Sequence, residues 1–190
     1  VQFAIMGSVF FRTLLHFDRP SVGLLNIGSE DQKGTESLRE AASVLRALPG
    51  ASMDFRGFVE GDDIGAGTVD VVVTDGFTGN IALKTGEGTA SMIGAAMRES
   101  FKATFLSKLC AIFAIVPLKR FSKRIDPRRK NGGVFLGLNG TVVKSHGAAD
   151  ATGITAAINL AIQLAEMSFN EKLAARVATV NPIAQTGESL

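Results

Sequence analysis

Apolar and polar positions fall into blocks of changing period along this chain, and the period predicts the element. Residues 3–16 carry apolar side chains on most faces and predict a buried helix, which Asp18-Arg19-Pro20 stops. Residues 22–27 are a short apolar run, the pattern of a strand buried on both faces. A polar turn, 28–34, leads to a helix over 35–48 with Leu38, Ala41, Ala42, Leu45 and Leu48 on one stripe, ended by Pro49-Gly50. Residues 53–59 alternate like a strand, and Glu60-Gly61-Asp62-Asp63 reads as an acidic turn. The clearest strand is 69–74. Asp75 to Asn80 reads as a turn, and a helix rich in small residues starts near Gly79 and runs to about 104.

The pattern then changes. Residues 109–118 are ten apolar residues in a row, and the basic stretch KRFSKRIDPRRK follows. Residues 132–140 predict a strand and a tight turn at Asn139-Gly140, residues 141–144 another strand, and 148–168 a helix rich in Ala and Ile. Strands and helices alternate, and the strands are almost wholly apolar. That predicts a layered α/β domain with a mainly parallel sheet. No repeat or linker divides it. The expected organisation is one α/β domain over 1–168, with a helical excursion at about 100–130, then a helix end and flexible tail over 169–190.

Composition narrows the class. Of 190 residues, 46% are hydrophobic and 20% charged, which excludes a disordered chain. The single cysteine excludes an internal disulfide and a multi-cysteine zinc site, and its apolar run predicts that Cys110 is a buried small hydrophobe. His16, in an apolar helix, is expected to be a packed core residue. Residues 1–17 lack the positive leading region and small-residue cleavage pattern of a signal peptide. The chain opens on Val and enters a helix at once, so it is expected to start inside a longer protein.

Charge adds more. The formal net charge is only +2, but residues 100–130 hold nine Lys or Arg against Asp126 alone, so that stretch carries +8 and the rest −6. Ten apolar residues are too few to span a bilayer, which needs about 20. Apolar residues followed by cations suit a hairpin on an anionic membrane surface, an acidic protein partner, or a dimer contact with a basic rim. Lys119, Arg120, Lys123 and Arg124 are the candidate docking residues. Phe121 is the lone aromatic within the basic stretch, which argues against nucleic acid.

Ligands of open α/β sheets bind beyond the carboxyl ends of strands, and three such ends stand out. NIGSEDQKG, 26–34, offers Gly28 and Gly34 for close backbone approach, a helix N-terminus for an anion, and the Lys33 charge. TDGFTGNIALK, 74–84, offers Asp75, Gly79, an oxyanion-binding or capping Thr78 or Asn80, and Lys84 one turn further along the same face. GLNGTVVKSHG, 137–147, offers Asn139 and His146, a group able to act as acid, base or donor near neutral pH. Each also reads as scaffolding: an ordinary loop, a helix cap, a structural histidine. No His, Cys or carboxylate cluster has metal-ligand spacing.

Taken together, MGSVF at 6–10, VGLLNIGSEDQKG at 22–34, GFVEGDDI at 57–64, VDVVVTDGFTGNIALKTGEG at 69–88, NGGVFLGLNG at 131–140 and VKSHGAAD at 143–150 resemble the PlsX family of phosphate acyltransferases. The resemblance implies transfer of a fatty acyl group from acyl carrier protein to inorganic phosphate. The acyl phosphate then feeds a glycerol-3-phosphate acyltransferase in phospholipid synthesis. It also implies a cytoplasmic homodimer, peripherally bound to the membrane, with no metal or organic cofactor. The implied fold is a three-layer α/β/α one, similar to isopropylmalate dehydrogenases, with a protruding helical hairpin. Gly28, Lys33, Gly34, Asp75, Thr78, Gly79 and Lys84 would then serve phosphate, and His146, Asn80 or Asn139 the developing oxyanion.

Two features depart from the family. Lys130 stands where an aromatic is common, and the Gly-rich D-x-M-G-G-D motif of the family's N-terminal half does not occur, so the chain looks like the C-terminal part of such an enzyme. Two alternatives remain: a phosphate acetyl- or butyryltransferase acting on coenzyme A thioesters, and a non-catalytic dimerising module that docks on membrane or carrier protein.

Overall fold

A run of apolar residues flanked by Gly and Asn becomes the centre of the fold. In the computed structural model, residues 1–48, 53–125, 132–147 and 149–185 are described, with side chains outside 122–125 and 179–185. Pro49-Gly50, Lys130 and the end of the expected tail beyond 185 lie outside the described residues. The order is α1 (Gln2–Leu15), β1 (Ser21–Leu25), α2 (Glu36–Ala47), β2 (Asp54–Val59), α3 (Gly61–Ala66), β3 (Val71–Val73), α4 (Gly76–Lys102), α5 (Phe105–Phe113), α6 (Ile115–Ile125), β4 (Gly133–Val134), β5 (Val143–Lys144), α7 (Ala151–Glu166) and α8 (Phe169–Gln185). These divide into two compact units, one drawn from Val1–Thr74, Gly133–Lys144 and Ala157–Leu190, the other from Asp75–Gly132 and Ser145–Ala156.

The first unit is α/β. Its sheet has the order β2-β1-β3, and both pairings are parallel. The central strand β1 is buried along its middle, with Val22 fully buried and Leu24 2% exposed, as its unbroken apolar run predicts. Gly23 is required by packing, because a Cβ there would lie 2.6 Å from a methyl of Val59. Arg56 is the extra residue of a bulge against β1, and Gly57 beside it takes a φ of 86°. At the amino end of the sheet Ser21 donates from its N–H (2.7 Å) and hydroxyl (2.6 Å) to the Asp70 carboxylate, which ties β1 to the start of β3.

Helices α1 and α2 bring Ala4, Ile5, Ala42 and Leu45 onto Val22, Leu24, Phe58 and Val73. A second cluster joins Met6 and Val9 of α1 to Leu164 of α7 and to Phe169 and Leu173 of α8, with Phe10 edge-on to Phe169 at 5.8 Å between ring centres. Helix α8 is longer than the expected helix end and tail. Phe169, Leu173 and Val177 recur every four residues and form its buried stripe, which the intervening Asn, Glu, Lys and Arg conceal in the sequence. Strands β4 and β5 form a separate antiparallel hairpin. Its left-handed turn residue is Gly137 (φ 84°), two positions before the Asn139-Gly140 turn signal.

Other expectations are corrected. The acidic turn at 60–63 is the start of α3, because Glu60 and Asp63 form a reciprocal capping box, with the Glu60 N–H donating to Asp63 at 2.8 Å. His16 is not in the core: it is exposed and caps the end of α1 in a left-handed conformation (φ 53°).

The second unit is helical. Helix α4 begins at Gly76 rather than Gly79, because Asp75 caps it by accepting from the Thr78 N–H at 2.9 Å. Thr104 caps α5 in the same way, accepting from Ser107 at 3.0 Å. The apolar run at 109–118 is therefore broken into the end of α5 and the start of α6, and Pro117 sits in the first turn of α6, where its missing N–H costs no helical bond. Helices α4 and α5 have no buried residue, and Phe105 and Phe113 are 84% and 82% exposed. Cys110 is exposed for the same reason, against the expectation of a buried thiol: the helix that carries it presents its apolar surface uncovered.

Candidate active site

The sheet order places the ligand end. From β1 the chain moves outward to β2, then returns to the opposite side of β1 as β3, and the three strands run parallel, so their carboxyl ends share one edge of the sheet. In open parallel sheets that edge is where ligands bind. The loop that leaves β1 there is the glycine-bearing segment 26–34.

Asn26 organises this loop. Only 8% exposed, its side chain accepts from the Ile27 N–H at 2.9 Å and donates to the Lys33 carbonyl at 3.1 Å. Gly34 is held at φ 86°, and a Cβ there would collide with the Asn26 amide. Arg39 reaches back from α2 to the carbonyls of Gln32 (3.3 Å) and Gly34 (3.0 Å), and Arg46 pairs with Asp31 at 2.6 Å. The Lys33 side chain folds over Gly28, whose absent Cβ would lie 2.6 Å from Glu30 and 2.9 Å from the Lys33 ammonium. Lys33 is not a lone cation. It pairs with Glu30 at 2.9 Å, with both side chains about half exposed. The hydrogen bond between them raises the Lys33 ammonium above its ordinary value and lowers the Glu30 carboxyl below its own. An arriving anion can take the place of Glu30 on an ammonium already fixed over bare backbone.

The start of α4 is differently filled. The Asp75 carboxyl is held below the usual range by hydrogen bonds from Thr78, its side chain first and its backbone second. Gly79 donates its N–H to the Asp75 carbonyl at 2.9 Å. Thr78 and Asn80 are exposed, and Lys84 pairs with Glu87 at 3.2 Å. A carboxylate thus already occupies this helix N-terminus. His146 is exposed between β5 and α7, and its carbonyl accepts from the Ala149 N–H at 3.0 Å.

The candidates divide between the units. Gly28, Lys33, Gly34 and the exposed Asn139 belong to the first; Asp75, Thr78, Gly79, Asn80, Lys84 and His146 belong to the second. Lys119 and Arg120 are exposed on α6, whereas the side chains of Lys123 and Arg124 lie outside the described residues. Sequence reasoning gave no role to Asn26, Glu30 or Arg39. For Asn26 a signal existed, since it is the lone polar residue inside the apolar run 22–27. Among the described residues no helix is long and apolar enough to cross a membrane.

Residues 1–172 match the fatty acid synthesis protein family. The chain belongs to that family. It is 57% identical over 179 residues to the phosphate acyltransferase of Jannaschia sp. (strain CCS1), a match covering 94% of this chain and 49% of the relative. Against the phosphate acyltransferase of Rhodobacter capsulatus the identity is 57% over 190 residues, covering 100% and 48%. For that of Ruegeria sp. (strain TM1040) it is 56% over 186 residues, covering 97% and 50%. The chain spans about half the length of these members.

Proposed function

We propose that the chain is part of an enzyme that transfers a fatty acyl group from acyl carrier protein to inorganic phosphate. The observation that carries this reading is its 56–57% identity to phosphate acyltransferases along nearly its whole length. In the reaction a phosphate oxygen attacks the thioester carbonyl, the tetrahedral oxyanion collapses, the C–S bond breaks, and the leaving thiolate takes up the proton that the hydrogen phosphate gives up, directly or through water. Phosphate is ionised at neutral pH, so positioning and charge stabilisation suffice without a strong base. Lys33 over Gly28 is the phosphate contact we favour, with Gly34 holding the loop open. Asp75, Gly79, Thr78 and Lys84 form the second phosphate loop. Asn80, Asn139 and His146 are the candidate oxyanion donors.

The acyl phosphate would pass to glycerol-3-phosphate acylation. The fold we propose is the isopropylmalate-dehydrogenase-like α/β/α one. The exposed apolar and cationic helices α4 to α6 support a cytoplasmic homodimer docking on the membrane surface and on an acidic carrier protein through Lys119, Arg120, Lys123 and Arg124.

The test offers acyl carrier protein thioester to the full-length enzyme with and without phosphate. Release of free carrier protein only with phosphate is expected; equal release without it identifies a thioesterase and overturns the reading. Preference for a coenzyme A thioester in competition supports the acetyl- or butyryltransferase alternative.

A further inference from the structure

The first unit has a groove of about 650 Å³ between the end of α1 and the start of α8, within the range of about 300–1,000 Å³ typical of small-molecule sites. Helix α1 ends where the chain turns into β1, so the groove sits at the amino edge of the sheet. The five residues of β1, at about 3.3 Å each, separate that edge from the 26–34 loop. Val9, Met167 and Ala175 line the groove with hydrocarbon. Arg12 and Thr13 line it from α1, and Lys172 and Arg176, one turn apart, from α8. His16, Phe17 and Asp18 line it from the connection to β1, and Asp18 is the one acid of the lining.

The α8 helix does not account for the charge here. Lys172 is the fourth residue of α8, in the first turn, where the helix dipole disfavours a cation, and Arg12 comes to the same groove. Among the described residues neither Arg12 nor Lys172 is in an ion pair. Packing does not account for Phe17 either. Its ring is 54% exposed, yet it is held edge-to-face against Phe11, with ring centres 6.1 Å apart and planes at 80°. A ring fixed in orientation but left out of the core offers a flat apolar surface beside the cations.

We propose that the groove between α1 and α8 binds a nucleoside phosphate, with its base against Phe17 and its phosphates between Arg12 and Lys172. Inorganic phosphate would leave the ring unused and fill a small part of the volume. A neutral nucleoside would leave the cations unanswered. A base, a sugar and a diphosphate together match the aromatic wall, the hydrogen-bonding groups of Thr13 and His16, and the paired charges. Asp18 suits a base amino group or a ribose hydroxyl, and it disfavours a ligand that is anionic throughout. The assignment does not depend on the transfer reaction, because the groove lies within one unit and includes none of the candidate reaction residues.

Calorimetry with ADP on the full-length enzyme, without acyl substrate, tests this. Saturable one-to-one binding with a dissociation constant below about 1 mM is expected. Arg12→Gln and Lys172→Gln together should weaken ADP by about tenfold or more, through loss of two charged contacts. Phe17→Ala should weaken ADP about fivefold, through loss of stacking, and leave the weaker binding of inorganic diphosphate unchanged. Lys33→Gln, at the other edge of the sheet, should leave ADP affinity unchanged. The circular dichroism of each variant should stay that of the parent. Inorganic diphosphate that binds the parent as tightly as ADP, or ADP binding undiminished by Phe17→Ala, reduces the groove to a cationic surface and overturns the proposal. Adenosine that binds as tightly as ADP overturns it as well. So does ADP binding that is lost in Lys33→Gln and kept in the Arg12→Gln, Lys172→Gln double variant, or the absence of binding at millimolar ADP.

Discussion

The two units of this chain use their hydrocarbon in opposite ways. In the first, Val22, Leu24, Leu164 and Phe169 are almost completely buried, and every buried apolar side chain among the described residues belongs to it. In the second, Phe77, Met92, Phe105, Leu106, Ile112 and Phe113 stand largely in the open. An apolar run in the sequence therefore does not by itself reveal a core. It reveals a surface that some contact must cover, within the chain or beyond it.

The largest expected effect separates the units by stability. Leu24→Ala should cost about 3 kcal/mol in urea unfolding, through lost burial and the cavity left between α1, α2 and the sheet. Leu106→Ala, which removes as much hydrocarbon from an exposed helix, should stay within about 0.5 kcal/mol. Equal losses at the two positions would break the comparison.

Next in size is Gly34→Ala, expected to cost about 2 kcal/mol, because an alanine must adopt φ 86° and displace the buried Asn26 amide. In the full-length enzyme the same change should raise the KM for phosphate. An unchanged KM beside a lowered midpoint would make the loop scaffold alone.

Glu30→Gln sharpens that result, since it releases Lys33 from its partner. The apparent affinity for phosphate should rise severalfold with little change in stability. The sign with pH follows from both shifts. The lowered Glu30 carboxyl contributes above the ordinary carboxylate range and is lost as pH falls through its folded value. The raised Lys33 ammonium contributes below the ordinary lysine range and is lost as pH rises through its own. The pair is thus intact across neutral pH, so any change in phosphate affinity from pH 6 to 8 should follow the second ionisation of phosphate itself and be the same in Glu30→Gln as in the parent.

Smaller still is the Asp75 cap. Its lowered carboxyl stabilises α4 above the ordinary carboxylate range and loses that contribution as pH falls. Circular dichroism of Asp75→Ala should show lower helicity at pH 7 and convergence with the parent in strong acid. The mildest probe is Cys110, which should react fully with a thiol reagent in the native chain at low concentration. Protection that grows with protein concentration would show a second copy covering the hairpin.

How far the sequence could be read follows from the same contrast. The strand at 22–27 was legible because burial on both faces leaves an unbroken apolar run. The loop after it was legible because Gly28 and Gly34 are needed where side chains cannot fit. Helix α8 was not, because its stripe of Phe169, Leu173 and Val177 is diluted by polar neighbours. The exposure of Cys110 and His16 was not either, because burial is settled by what packs from elsewhere and not by the local pattern. The Lys33–Glu30 pair was within reach at i,i+3, yet only the fold of the loop over Gly28 gives it meaning.

The most direct measurement follows oxygen. With phosphate labelled at all four positions by oxygen-18, the full-length enzyme should convert acyl carrier protein thioester into acyl phosphate that carries all four labels by mass spectrometry. Free fatty acid without oxygen-18, its one new oxygen taken from water, at a rate indifferent to phosphate, would contradict the account.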